Sequence, residues 1–185
     1  MPQSYLFKRD PQWIVPISIR YKTLPDTLQS WLHENNSLTQ RLRSEWGDVR
    51  VQVLFEGWRV PFLSEQKKLT LPQKRLCLVR EVLLYGNNVP LILARTVIPR
   101  STLNATHGHL GRLGTRPLGE ILFSSPSLAR QWLAISYVVP YCLKAPQMAF
   151  PTAMPTPLWG RCTRYSLQHQ PILVSEFFLP NLIQT

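Results

Sequence analysis

Cys77-Leu78-Val79-Arg80-Glu81-Val82-Leu83-Leu84-Tyr85 leads through Gly86-Asn87-Asn88 into Val89-Pro90-Leu91-Ile92-Leu93-Ala94-Arg95-Thr96-Val97-Ile98. Two apolar runs joined by a short turn-forming stretch read as a β-hairpin. Strand alternation puts Arg80 on one face with Leu78, Val82 and Leu84. A second charge of this kind lies in Ile172-Leu173-Val174-Ser175-Glu176-Phe177-Phe178-Leu179, where Glu176 shares a face with Ile172, Val174 and Phe178. An ionised side chain on an apolar face is costly unless it is paired or binds something. Periodicity leaves three readings open: an ion pair across the sheet, two edge residues facing water, or a small polar site inside a hydrophobic cavity. The last would suit a small, apolar-bodied anion with a hydroxyl group.

Outward from the hairpin, the same rules predict an α+β domain. Val49-Arg50-Val51-Gln52-Val53-Leu54-Phe55 is a strand. Strands over 159–167 and 171–179 are joined by the Gln168-His169-Gln170 turn. Upstream, Asp26-Thr27-Leu28-Gln29 has the form of a helix start with Asp26 as N-cap, and Leu28, Trp31 and Leu32 line one helical face. Ser37-Leu38-Thr39-Gln40 repeats the capping signature, and this helix pair is expected to end near Trp46-Gly47. Pro117 opens a helical stretch through Phe123. Residues 127–138 are ambiguous by periodicity. The elements suggest one antiparallel sheet of about six strands with helices on one side.

Composition narrows the classes. A chain of 185 residues, 44% of them apolar, is one globular domain with room for a real core. No apolar run reaches the roughly 18–20 residues of a membrane span, and the N-terminus lacks the apolar core of a secretory signal. Stable membrane insertion is therefore not expected. Cys77, Cys142 and Cys162 share no CxxC spacing, and free thiols in a reducing cytoplasm are the simple reading. The net charge of +11 comes from dispersed basic residues, without a recognisable nucleic-acid module, so it reads as a solvated surface rather than a nucleic-acid site. Such a field would also draw in an anionic substrate. His107-Gly108-His109 has no third ligand at matching spacing and reads as a loop. Gly108, Gly111 and Gly114 lack phosphate-loop context. No nucleophile–histidine arrangement stands out.

Several blocks in order carry a resemblance. They are Trp31-Leu32 with Asn36-Ser37-Leu38-Thr39; the Leu78–Leu84 strand; and Ala94-Arg95-Thr96-Val97-Ile98-Pro99-Arg100-Ser101-Thr102-Leu103. Next come Leu113-Gly114-Thr115-Arg116-Pro117-Leu118-Gly119 with Leu122-Phe123, then Leu158-Trp159-Gly160-Arg161, and finally Ser175-Glu176-Phe177-Phe178-Leu179-Pro180. From about Tyr21 to Pro180 the chain resembles the chorismate pyruvate-lyases, which start ubiquinone biosynthesis in many bacteria. The resemblance implies a strand over 127–138 and a ligand cavity enclosed between sheet and helical flaps. It also implies that chorismate is the substrate and that 4-hydroxybenzoate and pyruvate are the products. A monomer in the cytoplasm is expected.

The chemistry follows from the substrate. Loss of the ring hydrogen at the hydroxyl-bearing carbon, with expulsion of the neighbouring enolpyruvyl group, aromatises the ring. Aromatisation drives the reaction, so no cofactor and no metal is expected; the protein fixes the conformation and helps the leaving group. The family's binding arginine falls on Arg80, whose guanidinium fork would grip the ring carboxylate. Its glutamate falls on Glu176, which would hold the ring hydroxyl and either move a proton or leave that to a transfer within the substrate. Backbone amides of the family's site fall on Leu38 and Leu118. Arg161 is a candidate for the second carboxylate.

One segment departs from the family. Between Tyr137 and Leu158 lie Pro140, Pro146, Pro151, Pro155 and Pro157, too dense for an ordinary helix or central strand. The family links these strands with a shorter connection, so residues 137–158 read as an inserted surface loop, with a lid or a membrane-touching segment as the functional alternative, since Val138, Val139, Tyr141, Met148 and Phe150 are apolar. The competing function is a non-catalytic domain binding an aromatic acid as effector, on the same general fold. Such a domain normally follows a helix-turn-helix region, for which the residues ahead of Asp26 are too few.

Overall fold

The computed structural model describes residues 3–11, 13, 24–138, 142, 144 and 158–183. Helices α1 (Asp26–Leu32) and α2 (Leu38–Trp46) precede strand β1 (Val49–Arg59) and the short helix α3 (Leu63–Lys68). The hairpin β2 (Cys77–Gly86) and β3 (Val89–Ile98) follows, then α4 (Arg100–Ala105), a 3₁₀ turn at His109–Gly111, and α5 (Leu118–Phe123). Strands β4 (Ala129–Val138), β5 (Leu158–Leu167) and β6 (Gln170–Phe178) and the terminal helix α6 (Pro180–Ile183) complete the order. The six strands form one antiparallel sheet in the order β1-β2-β3-β6-β5-β4. The inserted loop expected over 137–158 lies outside the described residues, apart from its flanking strand ends and residues 142 and 144.

The turns obey local chemistry. Asn87 and Asn88 between β2 and β3, and Gln168 and His169 between β5 and β6, have positive φ, as a two-residue hairpin turn requires. Ser37 caps α2, its Oγ accepting from the Gln40 amide at 3.3 Å, and Gly47 ends the helix at φ 72°. At α1 the expected cap is corrected. Pro25, with no N–H and its φ preset, occupies the N-cap position, Asp26 is the first helical residue, and the Gln29 side chain donates to the Leu24 carbonyl at 2.8 Å.

Besides one on β4, where Gln131 is the extra residue between Arg130 and Trp132, two single-residue bulges set the register around β2. On β1, Val53 faces Val82 and Phe55 faces Glu81, leaving Leu54 as the extra residue. On β3, Pro90 faces Tyr85 and Ile92 faces Leu84, leaving Leu91 extra. A bulge reverses which alternate residues face which side beyond it.

Helices gather mainly on one face, called the front. There Leu28, Trp31 and Leu32 of α1 and Leu38 and Leu42 of α2 pack on Val82, Leu84, Ile92 and Phe178, while Leu103, Leu110 and Leu122 pack on Leu78, Ile98, Ile172 and Val174. The back face is closed as well. Leu6, Phe7, Phe62 and Leu69 cover Val79, Leu83, Leu93, Leu173 and Phe177. Periodicity gave no warning of that second cover. No helix among the described residues is long and apolar enough to cross a membrane.

Candidate functional site

A cavity opens between the front face and the N-terminal ends of α2 and α5. It holds about 640 Å³ of atom-free space, its mouth included. Its walls are largely apolar, with Val82, Leu84, Ile92 and Val174 among them. The polar residues lining it include Arg80, Thr96, Arg161, Tyr165 and Glu176. All five residues singled out from the sequence, Leu38, Arg80, Leu118, Arg161 and Glu176, line this one cavity.

Sheet order explains how they meet. Arg80 lies on β2 and Glu176 on β6, with β3 between them. Thr96 stands opposite Arg80, and Ala94 opposite Glu176. The floor between the two charges is therefore a short hydroxyl side chain and a methyl group, which leaves room above it. Strand spacing sets the two backbones roughly 10 Å apart.

Arg80 and Glu176 do not pair with each other. The Arg80 side chain is 3% exposed and donates from Nη1 to Glu56 Oε2 at 2.5 Å. Its Nη2 donates to the Gly114 carbonyl at 2.8 Å and the Arg116 carbonyl at 3.4 Å, which ties the loop before α5 to the sheet. Glu176, 16% exposed, pairs instead with Arg161, directly opposite on β5, with Nε to Oε2 at 2.7 Å. Arg161 Nη1 also donates to the Glu34 carbonyl at 2.6 Å and sits 3.5 Å from the carbonyls of Trp31 and Leu32, at the carbonyl end of α1. Its expected meeting with a second carboxylate thus competes with contacts that already engage Nε and Nη1. Burial disfavours the Arg161 charge, but Glu176 beside it more than offsets this and holds the guanidinium above its ordinary pKa. The Tyr165 hydroxyl is pushed up, by burial first and then by Glu176, and so enters the cavity as a neutral phenol.

Leu38 and Leu118 are the first residues of α2 and α5. A first-turn amide has no carbonyl one turn back to bond. The two helix starts also abut: a Cβ at Gly119 would lie 3.1 Å from both Ser37 Oγ and Thr39 Oγ1, so a larger residue there would have to push those hydroxyls back. Among the described residues no group of three His, Cys, Asp or Glu is placed to hold a metal ion.

Sequence reasoning passed over one charged cluster and one cavity residue's partner. The first is Glu65, Glu81 and Arg95, buried on the back face. Arg95 forks onto Glu65 (Nε–Oε1 2.7 Å, Nη2–Oε2 2.9 Å) and donates from Nη1 to Glu81 at 2.7 Å. Glu81 further accepts from Ser4 Oγ at 2.5 Å and from the amides of Tyr5 at 2.7 Å and Leu6 at 3.2 Å. The second is Glu56, the partner of Arg80. A strand charge among apolar neighbours, the signal that marked Arg80, is present at Glu81 and Arg95 too.

Over residues 10–185 the chain matches the family model for chorismate lyase. A probable chorismate pyruvate-lyase from Thiobacillus denitrificans is 38% identical over 160 residues, 86% of each chain. One from Methylococcus capsulatus is 39% identical over 157 residues, 84% of this chain and 96% of that one. The chorismate pyruvate-lyase of Pectobacterium atrosepticum is 33% identical over 157 residues, 85% of this chain and 79% of that one. Among solved structures, the effector domain of PhnF from Mycobacterium smegmatis aligns with a TM-score of 0.61 at 12% identity, covering 79% of this chain and 90% of that one. At that identity the likeness speaks for the fold alone.

Proposed function

The chain belongs to the chorismate lyase family, and from that premise we propose that its cavity takes chorismate and releases 4-hydroxybenzoate and pyruvate. The aromatic acid would serve ubiquinone biosynthesis, the usual setting of the family. The observation that carries this reading is that Arg80 and Glu176 stand two strands apart, on either side of a floor of small side chains, in one largely apolar cavity. A ring with a carboxylate at one end and a hydroxyl at the other spans that gap once both side chains reach in.

In this reading Arg80 grips the ring carboxylate and Glu176 accepts from the ring hydroxyl. The amides of Leu38 and Leu118, at the positive ends of their helices, supply further donors to the anion. Arg161 acts through Glu176, fixing its carboxylate against the sheet and tying it to the end of α1. The apolar walls exclude water, which strengthens each of these interactions. With the reacting groups held in one conformation, aromatisation supplies the driving force for elimination.

The test is direct. Purified protein incubated with chorismate and a metal chelator should produce 4-hydroxybenzoate and pyruvate in equal amounts. Binding of 4-hydroxybenzoate without turnover of chorismate would overturn the reading in favour of an effector-binding domain.

A further inference from the structure

Glu56 reaches Arg80 only because of the β1 bulge. Before it, Val49, Val51 and Val53 face the front; after it, Phe55 packs on the back-face cluster and Glu56 stands directly opposite Arg80. Had the pairing run straight on from Val53 and Val82, with Leu54 opposite Glu81, Phe55 would stand against Arg80. A bulge beside a cavity commonly re-aims a side chain, and here it delivers a carboxylate to the cavity's guanidinium.

That carboxylate is not the only acceptor holding Arg80 in place. The Gly114 and Arg116 carbonyls already accept from Nη2. Glu56 takes Nη1 at 2.5 Å while its own side chain remains 28% exposed at an edge strand, with solvent beside it. A ligand carboxylate arriving at Arg80 therefore meets a cation whose charge is already opposed and both of whose terminal nitrogens already donate, Nη1 to the carboxylate.

We propose that Glu56 competes with the ligand for Arg80, and so sets how tightly the cavity holds a carboxylate and how fast a carboxylate product leaves. This rests on the chorismate reading and adds to it a residue that governs release. Removing a like charge a few ångströms from a bound anion strengthens binding, and the rest of the Arg80 cradle stays in place.

The experiment titrates 4-hydroxybenzoate and its uncharged amide, 4-hydroxybenzamide, into wild-type protein and Glu56→Gln, and follows product dissociation by stopped flow. Glu56→Gln should bind 4-hydroxybenzoate about tenfold more tightly, with the gain in a slower off-rate, and should leave amide affinity unchanged. Unchanged or weaker binding of the acid would overturn the proposal, because Glu56 would then only orient Arg80. Equal shifts for acid and amide would also overturn it, as a change of cavity shape rather than of charge. Wild-type protein that neither binds 4-hydroxybenzoate nor converts chorismate would refute the underlying reading, a failure visible before any substitution is made.

Discussion

Arg80 and Glu81 are neighbours on β2, and Arg95 and Thr96 are neighbours on β3, yet alternation sends them to opposite faces and opposite fates. On the back, Arg95 is 1% exposed and Glu81 0%; with Glu65 they form a cluster in which the guanidinium and both carboxylates are engaged, with segment Ser4–Leu6 donating to Glu81 and the Phe62 amide to Glu65. Burial disfavours the Arg95 charge, but Glu65 and Glu81 outweigh it and hold its pKa above the ordinary value. On the front, Arg80, Arg161 and Glu176 border open space, and their partners are an edge carboxylate, loop carbonyls and one another. The two faces show that charge inside an apolar strand marks a site only where the covering layer leaves a cavity. Where the cover is tight, the same residues fasten it down, here pinning the N-terminal segment to the sheet.

The largest effect that would separate the faces comes from Arg95→Met. It strands two carboxylates in a dry cluster and should cost about 3–5 kcal/mol of unfolding free energy, while the folded fraction still binds 4-hydroxybenzoate at near wild-type affinity. Denaturant unfolding with parallel calorimetry checks this. A stable variant that has lost ligand binding would place function on the back face and break the contrast.

Glu176→Gln sharpens the front. The amide keeps the shape and a hydrogen-bonding group but cannot take or deliver a proton. If Glu176 moves the proton, the single-turnover rate should fall by roughly 10²–10⁴-fold with product affinity changed only modestly. A chemical step near the wild-type rate would assign Glu176 to positioning and leave proton transfer to the substrate.

The hairpin, the Ser37 cap, the Gln168-His169 turn and the front-facing charges were legible because each rests on local pattern. The bulges on β1 and β3 were not. Carried straight on from the Asn87-Asn88 turn, the pairing would set Arg80 against Arg95; the extra Leu91 sets Glu81 there instead, and the sign of it in that stretch is Pro90, a residue that sheets admit at edges, strand starts or bulges. The extra Leu54 likewise hid Glu56 from view. Pairing of Arg161 with Glu176 was within reach, because the β5–β6 hairpin carried straight back from the Gln168-His169 turn sets the two residues opposite each other; what no single strand encodes is that β3 lies between β2 and β6, which brings Arg80 to the same cavity. Leu38 and Leu118 were reached through the resemblance, since a backbone amide leaves no mark in side-chain chemistry.

The central claim is that the front face binds a carboxylate through Arg80. Calorimetric titration of 4-hydroxybenzoate into Arg80→Ala tests it most directly. The account predicts binding weaker by about 2–5 kcal/mol in a protein that remains folded, with Arg80→Lys recovering only part of the loss because a point charge replaces a fork. Near wild-type affinity in a folded Arg80→Ala protein would contradict it.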